Sequence, residues 1–216
     1  MEKSKQKVNY FLNFKKELEL VKLKQEKPTL VLHVCCAPCS SGCIEQLSEY
    51  FKVITLFYNP NISPLQEYEK RKKELIRFIA ENPNLKDVTM IDCDYDNNVY
   101  KNAICGLENE PEGGKRCEKC FVVRLEKTAK VAKQINADYF TTTLTISPLK
   151  NEQLLNQIGI NLEQKYGIKF LQSDFKKQDG YKKSIENSKK YNLYRQDYCG
   201  CIYSKLEREK QKEQKN

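Results

Sequence analysis

Three short groups of cysteines have the residue types and the spacing of a metal centre. The groups are Cys35-Cys36, Cys117-x-x-Cys120 and Cys199-x-Cys201. Thiolates are soft ligands that bind zinc, copper(I) and iron–sulfur clusters. A zinc ion or one cluster uses at most four thiols, so the surplus favours a cluster with a second metal or with redox-active thiols. We therefore hypothesise that the fold assembles one site from all three groups.

The first group follows an apolar run, Thr29 to Val34, that is typical of a buried strand. Adjacent residues of a strand point to opposite faces, so Cys35 and Cys36 can bind one ion only if the backbone turns at the strand end. Otherwise they serve two adjacent metals. The competing interpretation is a pair of small core residues, since free cysteine often packs as a hydrophobic side chain.

The other two groups have spacings that bring their sulfurs together. Cys117 and Cys120 lie three apart at a predicted helix start, which places both on one helix face. This is the commonest thiolate half-site; a zinc ribbon would need a second C-x-x-C. A thioredoxin-like redox pair is the alternative, but that motif follows the first strand of its fold. Gly200 lets the chain bend so that Cys199 and Cys201 converge.

The remaining candidates are less specific. Cys39 is close enough to the first group to be an accessory ligand, whereas Cys43 and Cys93 are interpreted as core or incidental cysteines. Cys105 fits either interpretation. The single histidine, His33, is a ligand, an acid–base group or, as we favour, a hydrogen-bonded core residue. The sequence has no Ser-His-Asp triad, glycine-rich phosphate loop or zinc-peptidase motif.

Composition bounds the class of protein. The chain has 216 residues, of which 31% are charged and 39% hydrophobic, which predicts one soluble globular domain. No apolar run approaches the roughly 20 residues of a membrane helix, and no signal-peptide core follows the basic start. We therefore expect a cytoplasmic protein with no membrane partner, whose ten cysteines are reduced rather than a disulfide framework.

The net charge of +9 is compatible with a nucleic-acid partner. A lysine-rich proteome explains the same excess equally well, so charge alone does not identify RNA. Close to the central thiols, Arg116 and Lys119 are predicted to stabilise thiolates or a negatively charged cluster.

The elements that must position the thiols alternate between strands and helices. We predict strands at 29–34, 52–58, 87–92, 139–144 and 168–171, and helices at 40–50, 64–81, 95–104, 117–136, 151–166 and 179–191. This order predicts an α/β fold, a parallel sheet with helices on both faces. Residues 1–28 are predicted as an N-terminal helical extension with an amphipathic helix at 8–25, residues 29–204 as the catalytic domain, and 205–216 as a polar tail.

The predicted sheet also places the candidate residues. In such sheets ligands bind outside the carboxyl ends of the strands. Cys35 and Cys36 end the first strand, the turn at Asn59 follows the second, and residues 141–147 end the fourth. The geometry agrees with a single pocket at that edge.

Several longer motifs occur in a fixed order along the chain. They are His33-Val34-Cys35-Cys36-Ala37-Pro38-Cys39, Phe57-Tyr58-Asn59-Pro60-Asn61-Ile62, Arg116-Cys117-x-x-Cys120-Phe121, Thr142-Thr143-Leu144-Thr145-Ile146-Ser147-Pro148, Ser173-Asp174-Phe175-Lys176-Lys177 with Gly180-Tyr181-Lys182-Lys183-Ser184, and Tyr194-Arg195-Gln196-x-Tyr198-Cys199-Gly200-Cys201. Together they closely resemble the cobalamin-independent epoxyqueuosine reductases, the QueH family, over residues 29–204. One departure is Ser63, where the family usually has His.

The resemblance implies an adenine-nucleotide α-hydrolase (HUP-like) fold and the last step of queuosine biosynthesis, the reduction of epoxyqueuosine to queuosine at the wobble position of tRNA. It also implies a [4Fe-4S] cluster with a second metal ion, iron or zinc, close by. Family members use cysteines and an Asp around the metals, and the matching cysteines are Cys35, Cys36, Cys117, Cys120, Cys199 and Cys201. Cys39 stands where some members carry the Asp, and Asp174 is the other candidate. Cys35, Cys36 and Asp174 are the catalytic candidates.

The same resemblance implies two partners, the tRNA anticodon loop and an external electron donor. Protons would come from a bound water, Tyr58, Tyr198 or His33. An unpaired wobble base is recognised through stacking aromatics and phosphate contacts. The best stretch for that consists of basic residues interleaved with aromatics: Lys176, Lys177, Lys182, Lys183 and Arg195 with Phe175, Tyr181, Tyr191 and Tyr194. A solvated basic helix with a core aromatic stripe is the alternative.

Two other functions fit parts of the pattern. A cluster-dependent tRNA sulfur transferase would use the same scaffold, but it activates its base with ATP and the pyrophosphate loop for that step is missing. A zinc-binding RNA-binding module without catalysis would explain the thiols and the charge only.

Overall fold

The computed structural model describes residues 7–214 and has a central sheet of five parallel strands. The strands are β1 (Thr29–His33), β2 (Lys52–Phe57), β3 (Thr89–Asp92), β4 (Tyr139–Thr142) and β5 (Lys169–Phe170), in the order β3-β2-β1-β4-β5. The chain moves outward from β1 to one edge and then returns to build β4 and β5 on the other side. The sheet therefore reverses its order between β1 and β4, where α/β proteins bind ligands.

Helices cover both faces of the sheet, which confirms the predicted α/β fold. They are α1 (Tyr10–Lys22), α2 (Ala37–Ser48), α3 (Leu65–Glu81), α4 (Asn97–Ala103), α5 (Lys115–Gln134), α6 (Glu152–Tyr166), α7 (Gly180–Lys190) and α8 (Ile202–Glu213). One core cluster draws on α1, α2 and α3, and a second on α5 and α6.

The central strand explains why the sequence shows an apolar run here rather than an alternation. Leu30 and Leu32 point into the first core cluster, and Val31 points into the second. All three are fully buried, because helices cover both faces of a parallel sheet. Because both faces of β1 are buried, successive residues must all be apolar, and the strand therefore appears in the sequence as a continuous apolar run.

The predicted N-terminal helix is present and packs on the domain. Tyr10, Phe14, Leu18 and Val21 form its buried face, and the rings of Phe14 and Phe175 meet edge to face with centroids 5.4 Å apart. Residues 1–6 of the predicted extension and 215–216 of the predicted tail lie outside the described residues. The rest of that tail is the larger part of α8.

Most differences from the predicted elements are at their ends. The helix predicted to begin at residue 40 begins at Ala37, because Pro38 is compatible with the first helical turn. The strand predicted to reach 144 stops at Thr142, whose Oγ1 accepts a hydrogen bond from the Leu144 backbone N–H and starts a 3-10 turn, Thr143–Ile146. Within residues 7–214, no helix combines the length and apolar character that crossing a membrane requires.

Candidate metal centre

The first thiol group lies at the carboxyl end of the central strand. The chain leaves β1 after His33, bends at Cys35, and enters α2 with Cys36 in extended conformation at its N-cap. The two sulfurs therefore do not point to opposite faces and lie 3.7 Å apart. Cys36 is 1% exposed and Cys35 8% exposed. The backbone turn that a shared site requires is present.

Cys39 joins this pair from the first turn of α2. The sulfurs of Cys35, Cys36 and Cys39 all lie within 4.8 Å of one another. Among residues 7–214 this is the only set of three or more His, Cys, Asp or Glu ligand atoms so close together. Three protein ligands with a fourth position left open are typical of catalytic metal sites. We call Cys35, Cys36 and Cys39 the three-thiol group.

The three thiols form hydrogen bonds with one another, and these bonds shift their pKa values. Hydrogen bonds from Cys36 and Cys39 hold the pKa of the Cys35 thiol well below its usual range. The hydrogen bond to Cys35 is the main cause that raises the pKa of Cys36 to about 12, and it likewise raises the pKa of Cys39. A metal cation bound between the three sulfurs would displace the thiol protons and bind all three sulfurs as thiolates.

The other four thiols surround a second region at the same edge, and we call them the four-thiol group. Cys117 and Cys120 stand in the first turns of α5, and Cys199 and Cys201 flank the turn before α8. Cys120 and Cys201 pack in one small cluster with Tyr100. Burial raises the pKa of Cys117 and of Cys120, the latter to about 12, and charges at Cys199 and Cys201 raise both further.

The spacing of the four-thiol group differs from that of the three-thiol group. No three of its sulfurs come within 4.8 Å of one another. A single tetrahedral ion would require such closeness, whereas in a [4Fe-4S] cluster each cysteine binds a different iron and the sulfurs stand further apart. Four buried or half-buried thiols next to a buried arginine are a donor set that suits a negatively charged cluster.

A fully buried arginine, Arg124 of α5, stands between the two groups. Its Nη1 lies 4.0 Å from Cys120 Sγ and its Nη2 donates to Asn59 Oδ1 over 2.7 Å. Charges at Cys120 and Cys35 raise the pKa of Arg124 although burial lowers it. Its charge therefore acts on thiols of both groups. The sequence offers one signal for this residue, its position one helical turn after Cys120.

A second buried arginine, Arg71 of α3, supports the turn at Gly200. It is 1% exposed, its Nε pairs with Glu67 at 2.7 Å, and its Nη1 donates to the Cys199 carbonyl at 3.1 Å. Its Nη2 is buried without a partner among the described residues. The Ser63 N–H donates to the Gly200 carbonyl over 2.9 Å. Cys199 and Cys201 are thus held in position by residues that follow β2. The spacing of the cysteine motifs does not indicate this contact.

Of the two cations predicted to stabilise thiolates, one faces solvent. Lys119 is exposed. Arg116 is buried, its Nη1 and Nη2 donate to the Glu108 carbonyl and to Glu207, and its charge acts to lower the pKa of Cys117, as predicted. Arg71 and Arg124 are two further buried cations whose charges act on the thiols, and the sequence patterns did not single them out.

His33 is a hydrogen-bonded core residue, the interpretation that the sequence favoured. It is fully buried, with Nδ1 2.9 Å from Thr142 Oγ1 and Nε2 accepting from Arg124 Nε over 3.3 Å. Burial lowers its pKa to about 3, and the Arg124 charge acts in the same direction. The imidazole is therefore neutral and has no solvent-facing nitrogen.

Asp174 is not one of the close ligand atoms of the three-thiol group. Its carboxylate is 6% exposed and pairs with Lys176 Nζ at 3.3 Å. Lys176 also pairs with Glu152 at 2.8 Å. The described contacts therefore join Asp174 to the start of α6 rather than to a cysteine.

The predicted RNA-binding stretch divides into exposed and buried parts. Phe175 is buried and Tyr191 packs on Phe78, while Tyr194 bonds to Glu67. Tyr181 is 38% exposed, with the Arg195 guanidinium 5.6 Å from its ring centre. The exposed basic residues of the stretch are Lys177, Lys182, Lys183 and Arg195.

Comparison with known proteins identifies the family. The family model described as "Epoxyqueuosine reductase QueH" matches residues 30–207. Curated proteins named epoxyqueuosine reductase QueH include one from Streptococcus pyogenes, 42% identical over 92% of this chain and 79% of its own length. Another, from Staphylococcus epidermidis, is 40% identical over 93% of this chain and 86% of its own length. A third, from Thermotoga maritima, is 39% identical over 83% and 92%.

Proposed function

The chain belongs to the epoxyqueuosine reductase QueH family, and on this premise we propose that it reduces epoxyqueuosine to queuosine at the wobble position of tRNA. The observation that carries the proposal is the arrangement of seven thiols in two groups at one edge of the sheet, within the residues matched by the family. The reaction removes an epoxide oxygen as water, and it consumes two electrons and two protons.

We propose that Cys117, Cys120, Cys199 and Cys201 hold a [4Fe-4S] cluster. Their number, their burial and the neighbouring Arg124 favour a negatively charged polynuclear group over a single ion. When bound, such a cluster supplies electrons one at a time, at a potential set by its surroundings. The protein supplies those surroundings through Arg124 and the buried Tyr100.

We propose that the three-thiol group holds the second metal, iron or zinc. Cys39 then takes the place that an Asp has in some family members, which is supported by its sulfur lying within 4.8 Å of those of Cys35 and Cys36. Three ligands leave one position open for the substrate or a water. Asp174 is an alternative ligand only, because its carboxylate already pairs with Lys176.

The exposed part of α7, with residues on either side of it, is our proposed contact for the tRNA backbone. Lys177, Lys182, Lys183 and Arg195 carry unburied positive charge, and Tyr181 presents an exposed aromatic face. Phosphates attract such cations, and an unpaired base stacks on such a ring. Because the substrate is a tRNA, we place the reaction in the cytoplasm, with an external electron donor.

The decisive experiment uses anaerobically purified protein, tRNA carrying epoxyqueuosine and a low-potential chemical reductant. Nucleoside analysis should show epoxyqueuosine converted to queuosine, and a deletion strain should accumulate epoxyqueuosine in its tRNA. A deletion strain that keeps queuosine but loses a thiolated base would instead identify a sulfur transferase. A colourless protein that holds zinc alone and leaves the nucleoside unchanged would identify a zinc module.

The metal assignment has its own test. Cys39→Ala should lose about one metal ion per chain while it keeps the iron and the acid-labile sulfide of the cluster. Cys43→Ala is the matched control, since the Cys43 thiol is buried one turn further along α2 and only donates to the Cys39 carbonyl at 3.7 Å. Equal metal content in the two variants would contradict the role given to Cys39.

A further inference from the structure

Two helices begin at the four-thiol group, each with a cysteine at its amino end. α5 begins at Lys115, so Cys117 lies in its first turn, and Cys201 is the N-cap of α8. The first backbone N–H groups of a helix have no acceptor within the helix, and they carry a partial positive charge. The fold therefore brings unpaired N–H donors to the sulfurs of this group.

Backbone N–H groups beside these two helix starts reach the sulfurs. The Gly113 N–H donates to Cys117 Sγ over 3.2 Å, and the Ser204 N–H donates to Cys201 Sγ over 3.4 Å. The second of these bonds is the buried one, because Ser204 is 2% exposed and Cys201 6% exposed. Solvent therefore does not compete with Ser204 for the Cys201 sulfur.

The side chain of Ser204 contacts the same sulfur. The Cys201 thiol donates to Ser204 Oγ over 3.5 Å, and this hydroxyl donates to the Cys201 carbonyl over 3.1 Å. A metal-bound thiolate has no proton to give and can only accept hydrogen bonds. With the thiol proton gone, the Ser204 hydroxyl is the remaining donor of this pair, and a hydroxyl rotates to suit its acceptor.

Cysteine is also an unusual residue at a helix N-cap. Ser, Thr, Asp and Asn are preferred there, because their oxygens accept a hydrogen bond from the second or third N–H of the helix. A thiol sulfur is only a weak acceptor, whereas hydrogen bonds to a negatively charged acceptor are about twice as strong. The bond from Ser204 to Cys201 therefore reaches its full strength when the sulfur is a thiolate.

Hydrogen bonds to the sulfurs of an iron–sulfur cluster are one of the factors that set its reduction potential. Reduction adds a negative charge, so a donor aimed at a sulfur stabilises the reduced cluster more than the oxidised cluster. In a buried site the surroundings screen this difference less than water would. Donors of this kind therefore raise the potential.

We propose that Ser204 is a positioning residue for electron transfer: its backbone N–H and its hydroxyl both hydrogen-bond to Cys201 Sγ and raise the reduction potential of the cluster that the four-thiol group holds. The inference rests on the proposed function, because it needs that cluster. The step moves one electron from the external donor to the cluster, and Ser204 keeps its proton throughout. A higher potential allows a milder donor to supply each of the two electrons.

Ser204 gives a cleaner test than the other N–H donors. Arg124 Nη1 lies 4.0 Å from Cys120 Sγ, but Arg124 also bonds to Asn59, so its removal would disturb the fold as well. The Gly113 N–H cannot be removed by proline, since Gly113 has φ +90° and proline requires a φ near −65°.

The test compares wild type with Ser204→Ala, which removes the hydroxyl, and with Ser204→Pro, which also removes the N–H. Ser204 is the third residue of α8 and its N–H donates to a sulfur, so proline breaks no backbone bond in this first turn. Ser184→Ala is the matched control. Ser184 is 1% exposed, and its Oγ donates to the carbonyl three residues earlier, as Ser204 Oγ does, but in α7.

The measured quantity is the midpoint potential of the cluster, from anaerobic redox titrations followed by electron paramagnetic resonance. Ser204→Pro should lower the equilibrium constant for cluster reduction about tenfold, which corresponds to about 59 mV for one electron. Ser204→Ala should lower it by less, and Ser184→Ala should match wild type. Iron and acid-labile sulfide should stay at wild-type levels in all three variants, because each keeps every proposed ligand.

Three results would overturn the assignment. They are a Ser204→Ala variant with the potential of Ser184→Ala, a Ser204→Pro variant with a potential no lower than that of Ser204→Ala, and a loss of iron or sulfide from Ser204→Ala. If Ser204→Pro does not fold, the potential of Ser204→Ala decides alone.

Failure of the proposed function gives a different pattern. A wild-type protein without iron and sulfide would refute the proposed cluster, and the role of Ser204 with it. A wild-type protein that holds the cluster but leaves epoxyqueuosine unchanged would refute the proposed reaction, while the potentials of the Ser204 variants would still test the hydrogen bonds to Cys201.

Discussion

Arg124 Nη2 donates a hydrogen bond of 2.7 Å to Asn59 Oδ1, and Asn59 Nδ2 donates in turn to the Val34 carbonyl over 2.9 Å. This pair ties α5, which carries Cys120, to the residue that immediately precedes Cys35. Both side chains are almost fully buried, so water cannot replace the lost partner if one is removed. The contact between Arg124 and Asn59, neither of which belongs to a cysteine motif, thus helps to fix the position of the four-thiol group relative to the three-thiol group.

Replacing Arg124 with methionine should destabilise the protein strongly. The change leaves Asn59 Oδ1 buried without its donor and removes the bond to His33 Nε2, whose other neighbour is the Tyr58 carbonyl at 3.2 Å. Losing these buried contacts costs about 3 kcal/mol. Urea unfolding of the anaerobic protein, followed by circular dichroism, measures the loss. Arg124→Lys should fall between wild type and Arg124→Met, since it keeps the charge but loses the planar fork.

Arg208→Met is the matched control for this prediction. Arg208 and Asp197 form a pair at 3.5 Å with more than two fifths of each side chain exposed. Exposed pairs contribute less than about 1 kcal/mol, so this variant should unfold near the wild-type urea concentration. If Arg124→Met unfolds there as well, the buried network does not stabilise the fold.

Removing one thiol of the four-thiol group should abolish both iron loading and activity, whereas removing a core thiol should not. Cys117→Ala takes away a half-buried ligand at the start of α5, and three remaining thiols do not complete the shell of a cluster. Cys43→Ala removes a buried thiol that only donates to the Cys39 carbonyl. Iron and sulfide analysis of anaerobically purified protein gives the answer, and wild-type iron content in Cys117→Ala would refute the assignment.

Gly200→Ala should lower metal occupancy as well as the free energy of unfolding. Gly200 has φ +128°, and a Cβ there would stand 3.0 Å from Arg71 Nη1 and from Ile62. The side chain would therefore displace Arg71 or the turn that carries Cys199 and Cys201. We expect a metal content well below that of wild type, measured on protein that is folded by circular dichroism.

Gly106→Ala separates backbone strain from the contact with Arg71. Gly106 also has positive φ, +78°, but a Cβ there would meet nothing within 4 Å. Both variants should lose about 1 kcal/mol of unfolding free energy from the left-handed backbone, and only Gly200→Ala should lose metal. Equal metal content in the two would show that the turn tolerates the clash.

The ion pair at the start of α6 should make stability depend on pH in acid. Burial raises the pKa of Glu152, but the hydrogen bond and charge of Lys176 lower it by more, to about 2, from an ordinary value of 4.5. A depressed carboxylate pKa means that the pair stabilises fully above pH 4.5 and that this contribution is lost as the pH falls toward 2.

Glu152→Gln tests that sign. The variant should be less stable than wild type by about 1 kcal/mol at pH 7, and the difference should shrink as the pH falls below 4.5. Urea titrations at pH 7, 5 and 4 measure it. Glu26→Gln is the control, because Glu26 is 87% exposed and lies 3.9 Å from Lys52. A difference that grows toward acid would contradict the depressed pKa.

The fold could be predicted because its signals are local. The apolar run at Thr29–His33 and the strand–helix alternation follow from which neighbours each residue meets, and a parallel sheet covered on both faces is the arrangement that satisfies them. Helix ends were less predictable. The hydrogen bond accepted by Thr142 Oγ1 ends the strand, although the β-branched Thr143 and Thr145 favour extended structure.

The sequence by itself determined the family, the parallel sheet, and which cysteines lie at the carboxyl edge of β1. Those conclusions depend on residue type and on spacing along the chain, and both are visible in one dimension. Only the tertiary structure decided that Cys39 joins Cys35 and Cys36, that Asp174 pairs with Lys176, and that Arg124 lies against Cys120. Those facts are distances between side chains, and packing of the helices on the sheet sets them. Burial likewise decided that Lys119 faces solvent while Arg71 and Arg124 face the site, because a lysine or arginine has no local pattern that marks the side it will occupy.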